Sequence, residues 1–154
     1  MSAFPAGDGR ASRGGMTSGL DEVRWIALPN HHDRRGNLTI VGHDDIPFSI
    51  TRIFYAWSVP EGTERGGHAH RVTQQFVIAI SGQISLDLTD GVNRRSFQLE
   101  SPDRGVYIPP MIWDRLYDFS HGAVCLVLAS TQYAESDYIR DWKEFQRLKG
   151  EPRP

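Results

Sequence analysis

Apolar and polar side chains alternate in short runs along most of the chain. Ile84-Ser85-Leu86-Asp87-Leu88-Thr89 shows this most cleanly, with one apolar and one polar face, as on a half-buried strand. Other short runs rich in β-branched and aromatic residues predict strands at Val23–Leu28, Leu38–Val41, Ile50–Val59, Gln75–Ile80, Ser96–Leu99, Gly105–Ile108 and Val124–Ser130. Turn-forming stretches separate them: Asp33-Arg34-Arg35-Gly36-Asn37, Pro60-Glu61-Gly62, Ser81-Gly82, Asp90-Gly91 and Pro109-Pro110. Asp90-Gly91 predicts a two-residue hairpin turn, because such a loop needs positive φ. Many short strands joined by tight turns predict a β-sandwich or a closed barrel.

The period changes near the C-terminus. Tyr138, Ile139, Trp142, Phe145 and Leu148 recur at three- and four-residue steps, which places them on one face of a helix packed against the β structure. Ser136 or Asp137 is suited to cap its start. Residues 1–20 are rich in Gly, Ser and Ala without apolar periodicity and read as a flexible extension. Residues 21–149 then form a single domain, and residues 150–154 a tail.

Composition narrows the possibilities. The chain has 154 residues, 39% of them hydrophobic, enough for one core. Formal charge is 17 − 19 = −2, so no basic excess is available to neutralise a nucleic-acid backbone. No apolar run approaches the ~20 residues of a membrane span, and no secretory segment is evident; a cytoplasmic protein is expected. Cys125 is the only cysteine, which rules out an intramolecular disulfide; within Ala123-Val124-Cys125-Leu126-Val127 it reads as a small buried hydrophobe.

The candidate chemistry lies in Gly62-Thr63-Glu64-Arg65-Gly66-Gly67-His68-Ala69-His70, followed by Gln75 and Gly82. On a strand, residues two apart share a face, so His68 and His70 point the same way. Two imidazoles on one face suit either metal binding or proton transfer; the plainer alternative is that they complete hydrogen bonds in a polar barrel mouth.

The spacing Gly-x5-His-x-His-x4-Gln-x6-Gly resembles the first motif of the cupin superfamily, with Gln75 where that pattern carries Glu. The resemblance implies an all-β cupin barrel, a double-stranded β-helix or jelly roll, with one C-terminal helix and both histidines facing inward. The second cupin motif resembles Gly105 through Asp114, with Asp114 where a third His would fall. His68, His70 and Asp114 together would be a two-His-one-carboxylate set able to hold Fe(II). The neutral Gln75 and the replaced third His argue against an ordinary metal cage, and no metal or cofactor is expected.

A closer similarity is to the sugar-nucleotide 3,4-ketoisomerases. It is carried by Asp33-x-Arg35-Gly36-x-Leu38, Ile46-Pro47-Phe48, Arg52-Ile53-Phe54-Tyr55, Arg65-Gly66-Gly67-His68-Ala69-His70 and Ile108-Pro109-Pro110-Met111-Ile112-Trp113. It continues through Asp118-Phe119-Ser120, Val127-Leu128-Ala129-Ser130 and Asp137-Tyr138-Ile139-Arg140. These enzymes move the carbonyl of a dTDP-linked 4-keto-6-deoxyhexose from C4 to C3 through an enediol. The resemblance implies His68 as the base, His70 as its partner or proton relay, and Tyr55 as donor to the enediolate oxygen. A neutral imidazole, with an ordinary pKa near ~6.5, takes and returns a proton near neutral pH. Arg65 and Arg35 are the first candidates for the substrate diphosphate, because a guanidinium offers forked, permanently charged donors. Arg71 and, less strongly, Arg115 follow. Gln75 is a polar contact, and Trp113 either stacks on a ring or plugs the barrel. The family's usual state implies a homodimer. Competing readings are a metal-dependent cupin oxygenase or isomerase, a non-catalytic sugar-nucleotide-binding cupin, and a dTDP-sugar 3,5-epimerase.

Overall fold

The computed structural model describes residues 19–150. Two five-stranded antiparallel sheets face each other. The first has the order β1 (Arg24–Ala27), β9 (Arg104–Ile108), β6 (Gln75–Ser81), β11 (Val124–Ala129), β4 (Arg52–Trp57). The second runs β12 (Tyr138–Ile139), β5 (Arg65–His70), β10 (Trp113–Tyr117), β7 (Ile84–Thr89), β8 (Arg94–Leu99). Strands β2 (Asn30–Asp33) and β3 (Gly36–Thr39) form a hairpin of their own, and helix α1 spans Trp142–Gly150. This is the cupin-like jelly roll that the motif implied.

Alternation along the strands builds the core. Ile84, Leu86 and Leu88 of β7 are fully buried, while Ser85 and Asp87 between them reach solvent. They meet Val77, Ala79, Val106, Cys125 and Val127 from the first sheet. Each such side chain removed from water contributes roughly 1.5–3 kcal/mol. Strand β6 is buried on both faces, since Phe76 and Ile78 pack outward under Ile46 and Phe48. On the outside of the second sheet, Ala69, Trp113 and Ile139 form a separate apolar layer against Phe145 of α1. Among the described residues no helix is long and apolar enough to cross a membrane.

Several expectations need correction. Leu20, assigned to the flexible extension, sits in the core at 4% exposure within a short 3-10 turn; the extension before residue 19 and the tail after residue 150 lie outside the described residues. Asp90-Gly91 belongs to a four-residue loop, since Thr89 pairs with Arg94. The Asp90 carboxylate accepts hydrogen bonds from the backbone N–H groups of Val92 and Asn93, which holds the longer loop. The helix starts at Trp142; Tyr138 and Ile139 pair with His70 and Ala69 as a strand.

Candidate active site

Inside the barrel, between β5, β10, β6, β11 and the edge strand β4, a cavity of about 120 Å³ opens to solvent. Its polar lining comes from Arg65, His68, Gln75 and Asp114, with Tyr55 and Tyr138 and the thiol of Cys125. Leu86, Ile108 and Val127 close it with apolar side chains. A small polar recess thus sits at one end of a dry core.

Strand β5 places the histidines. His68 and His70 share a face, while Ala69 between them turns out to the layer under α1. His68 lines the cavity; His70, 3% exposed, does not reach it. The two rings meet edge to face with centroids 5.1 Å apart, and Tyr138 packs on both, at 4.9 and 4.4 Å. Nδ1 of His70 lies 2.8 Å from Oδ2 of Asp137. An ionised carboxylate only accepts, so Nδ1 carries the proton and Nε2 keeps its lone pair. Among the described residues, that Nε2 and the Nδ1 of His68 are buried without a hydrogen-bond partner, and they sit on adjoining rings.

Asp137 is itself fixed. Its Oδ1 accepts from the Val72 N–H at 2.8 Å, and its Oδ2 also accepts from the Thr73 hydroxyl. Burial works to raise its pKa, but these bonds and His70 outweigh it and hold the carboxyl below its ordinary value. For His70 burial wins: it is pushed below its ordinary value despite the upward pull of Asp137. The ring is therefore held neutral, oriented, and ready to accept at Nε2. Asp114 sits on β10 opposite His68, with Oδ2 4.0 Å from His68 Nε2. Burial raises its carboxyl above its ordinary value, against the pull of His68 and His70. Burial likewise pushes the Cys125 thiol up to about 12, so it stays protonated.

Of the residues predicted from sequence, the cavity collects His68, Arg65, Gln75 and Tyr55, with His70 directly behind. Tyr55 is only at the rim: 62% exposed, it pairs with Leu126 on the outer face of β4, while Phe54 and Ala56 face the interior, so its expected place as donor to the enediolate is not met in the single chain. Four predicted substrate contacts lie elsewhere in the single chain. Arg35 is on the exposed β2–β3 hairpin, bound to Asp33 with Nε–Oδ1 at 3.1 Å. Arg71 reaches out to Glu144 of α1 at 2.7 Å. Trp113 neither stacks in the cavity nor plugs the barrel: it points outward from β10 and packs on Trp142 and Phe145 of α1 at 5.2 and 5.5 Å. Arg115 pairs with Glu64 and Asp87 outside the cavity.

Sequence reasoning missed Asp137 and Tyr138 and left the direction of Asp114 open. Asp114 points inward, yet among the described residues no three His, Cys, Asp or Glu side chains are grouped to hold a metal ion.

A jelly-roll barrel with an imidazole in a recess, backed by a second imidazole and its carboxylate, defines a cupin. Residues 21–150 match the family described as FdtA: WxcM-like, C-terminal, and the chain belongs to that family. It is 37% identical over 116 residues, 75% of this chain and 84% of the relative, to the TDP-4-oxo-6-deoxy-alpha-D-glucose-3,4-oxoisomerase of Aneurinibacillus thermoaerophilus. Its fold matches a mutant of the 3,4-ketoisomerase QdtA from Thermoanaerobacterium thermosaccharolyticum, solved with TDP-4-keto-6-deoxyglucose. That match has a TM-score of 0.81 at 34% identity and covers 82% of this chain and 93% of the other. A 3,4-ketoisomerase from Helicobacter canadensis matches with TM-score 0.81 at 36% identity, covering 84% and 98%.

Proposed function

We propose that this chain is a sugar-nucleotide 3,4-ketoisomerase, moving the carbonyl of a TDP-linked 4-keto-6-deoxyhexose from C4 to C3. The observation that carries the proposal is the placement of His68 in the cavity with the buried His70–Asp137 pair behind it. Moving a ketone to the adjacent carbon needs one proton taken from C3 and one delivered to C4, with no net oxidation. His68 is the base that faces the sugar. His70, neutral and fixed by Asp137, supports it as a partner that accepts a proton at Nε2. Arg65, exposed at the mouth, suits the diphosphate, and Gln75 suits a sugar oxygen, where charge develops in the enediolate.

The working unit is a homodimer in the cytoplasm. Strand β4 is an unpaired sheet edge carrying Ile53, Tyr55 and Trp57 at 61%, 62% and 66% exposure. Long exposed apolar edges are unusual in a finished surface. The β2–β3 hairpin pairs with neither sheet, and a second copy gives it and Arg35 a surface to dock on.

The test is incubation with TDP-4-keto-6-deoxyglucose and excess chelator in deuterium oxide, followed by NMR. A 3-keto product with deuterium at C4 is expected. Label at C5 with the carbonyl unmoved indicates 3,5-epimerisation; loss of turnover restored by Fe(II) or Mn(II) indicates a metal enzyme. Binding without any exchange indicates a non-catalytic module.

A further inference from the structure

The most unusual group in the cavity is one that the functional reading leaves idle. Asp114 is a carboxylate 6% exposed in a recess otherwise bounded by neutral and basic groups, with His68 Nε2 at 4.0 Å. Buried carboxyls are costly unless something compensates or they are held neutral. Two local departures from regular strand geometry serve its position. The β5–β10 register shifts between Asp114 and Arg115, a bulge that re-aims side chains. Next to it on β5 stands Gly66, paired with Arg115 and with φ +80°, where an added Cβ would collide with Oδ1 of Asp114 and lie 3.1 Å from its backbone oxygen. The strand carrying the histidines therefore leaves a notch that only glycine provides, and the carboxyl occupies it.

The titratable and charged groups around Asp114 are His68 and His70 on β5, Cys125 on β11 and Arg65 at the mouth. The thiol of Cys125 stays protonated, and burial pushes the Asp114 carboxyl above its ordinary value. Tyr55, at 62% exposure, lies on the outer face of β4, whereas Asp114 is buried in the recess.

We infer that Asp114 is a further catalytic residue, carrying the oxygen-bound proton between O4 and O3 while His68 carries the carbon-bound one. The inference rests on the 3,4-ketoisomerase reading. Isomerisation moves two hydrogens, one from C3 to C4 and one from the C3 hydroxyl to the former C4 carbonyl oxygen. In the first half, the C3–H bond breaks to His68 Nε2 and its electron pair forms the C3=C4 bond. The C4=O π pair moves to oxygen, which takes the proton of the Asp114 carboxyl. An enediol, an imidazolium and a carboxylate result. In the second half the Asp114 carboxylate takes the O3 proton and the O3 pair forms C3=O. The C3=C4 pair then takes the proton from His68 at C4. Both side chains return to their starting forms. A carboxyl suits this work because its two oxygens can donate to one of two neighbouring substrate oxygens and accept from the other.

The test compares wild type, Asp114→Asn and Asp114→Ala with TDP-4-keto-6-deoxyglucose in deuterium oxide, with TDP affinity measured on each. Carbonyl migration is expected to fall about 100-fold or more in Asp114→Asn. Deuterium entry at C3 of the unconverted substrate should fall by less than about 10-fold, since His68 still takes that proton and the amide still donates a hydrogen bond. Formate should restore migration in Asp114→Ala by about 10-fold or more. Equal loss of exchange and migration, migration within about 3-fold of wild type, or variants that no longer bind TDP would each overturn the inference, the last by making Asp114 structural. If the wild type itself moves no carbonyl, the functional reading fails instead.

Discussion

Two sides of the same strand pair do different jobs. On β5 and β10, Ala69 and Trp113 face the helix and lie in an apolar layer with Ile139 and Phe145. His68, His70 and Asp114, one residue away in each strand, face the barrel interior. The backbone hydrogen bonds that hold the two strands are shared, but the side chains divide. One side contributes burial energy, and the other contains buried polar groups that work against stability. A one-residue slip would exchange the two sets, so the packing of Trp113 against Phe145 of α1 holds the register that the site needs. Stability and catalysis should therefore come apart under mutation.

The largest effect that tests this division is on the helix side. Phe145→Ala should cost about 3–5 kcal/mol in denaturant unfolding, because Phe145 is fully buried against Trp113 and Trp142. Isomerisation per folded molecule should stay within about 2-fold of wild type. A parallel collapse of turnover in fully folded protein would break the comparison. On the cavity side, Asp137→Asn keeps the shape but weakens the acceptor that sets the His70 tautomer. Turnover should fall on the order of 100-fold, about 2.7 kcal/mol of barrier, with KM little changed. An unaltered kcat would reduce the His70–Asp137 pair to packing.

The smallest effect is on pH-dependent stability. Burial depresses His70, so the unfolded chain takes up a proton near pH ~6.5 before the folded one does. The stability tied to the neutral ring is fully present above that pH and is lost as pH falls through it towards the folded-state value. Asp114 works with opposite sign: its raised value gives stability that is present at acid pH and lost as pH rises through the folded-state value. Thermal midpoints from pH 5 to 8 should therefore fall less on acidification in His70→Gln than in wild type, and more in Asp114→Asn. Parallel curves for all three proteins would show that neither group titrates differently on folding.

Legibility in the sequence followed the same division. β7 was plain because one face is dry and the other wet, so alternation marks it. β10 escaped because its inward face includes Asp114, which erases the apolar rhythm where the barrel turns polar. Tyr138 and Ile139 continue the spacing of Trp142 and Phe145, so a two-residue strand passed for the first turn of the helix. Asp137 looked like a cap; its partner His70 is 67 residues earlier, and no local pattern reports that distance. The histidine pair itself was legible because His-x-His shares a face in any strand. Arg35 and Arg71 were drawn to the site by charge and by their place in the resemblance, whereas within the single chain the fold ties them to Asp33 and Glu144.

The most direct measurement of the central claim is deuterium entry at C3 of TDP-4-keto-6-deoxyglucose bound to His68→Asn. With His68 as the cavity base, exchange should fall by about 1000-fold or more, while TDP still binds and the thermal midpoint stays close to that of wild type. Exchange at C3 that continues near the wild-type rate would contradict the account, since the proton would then be leaving to some other group.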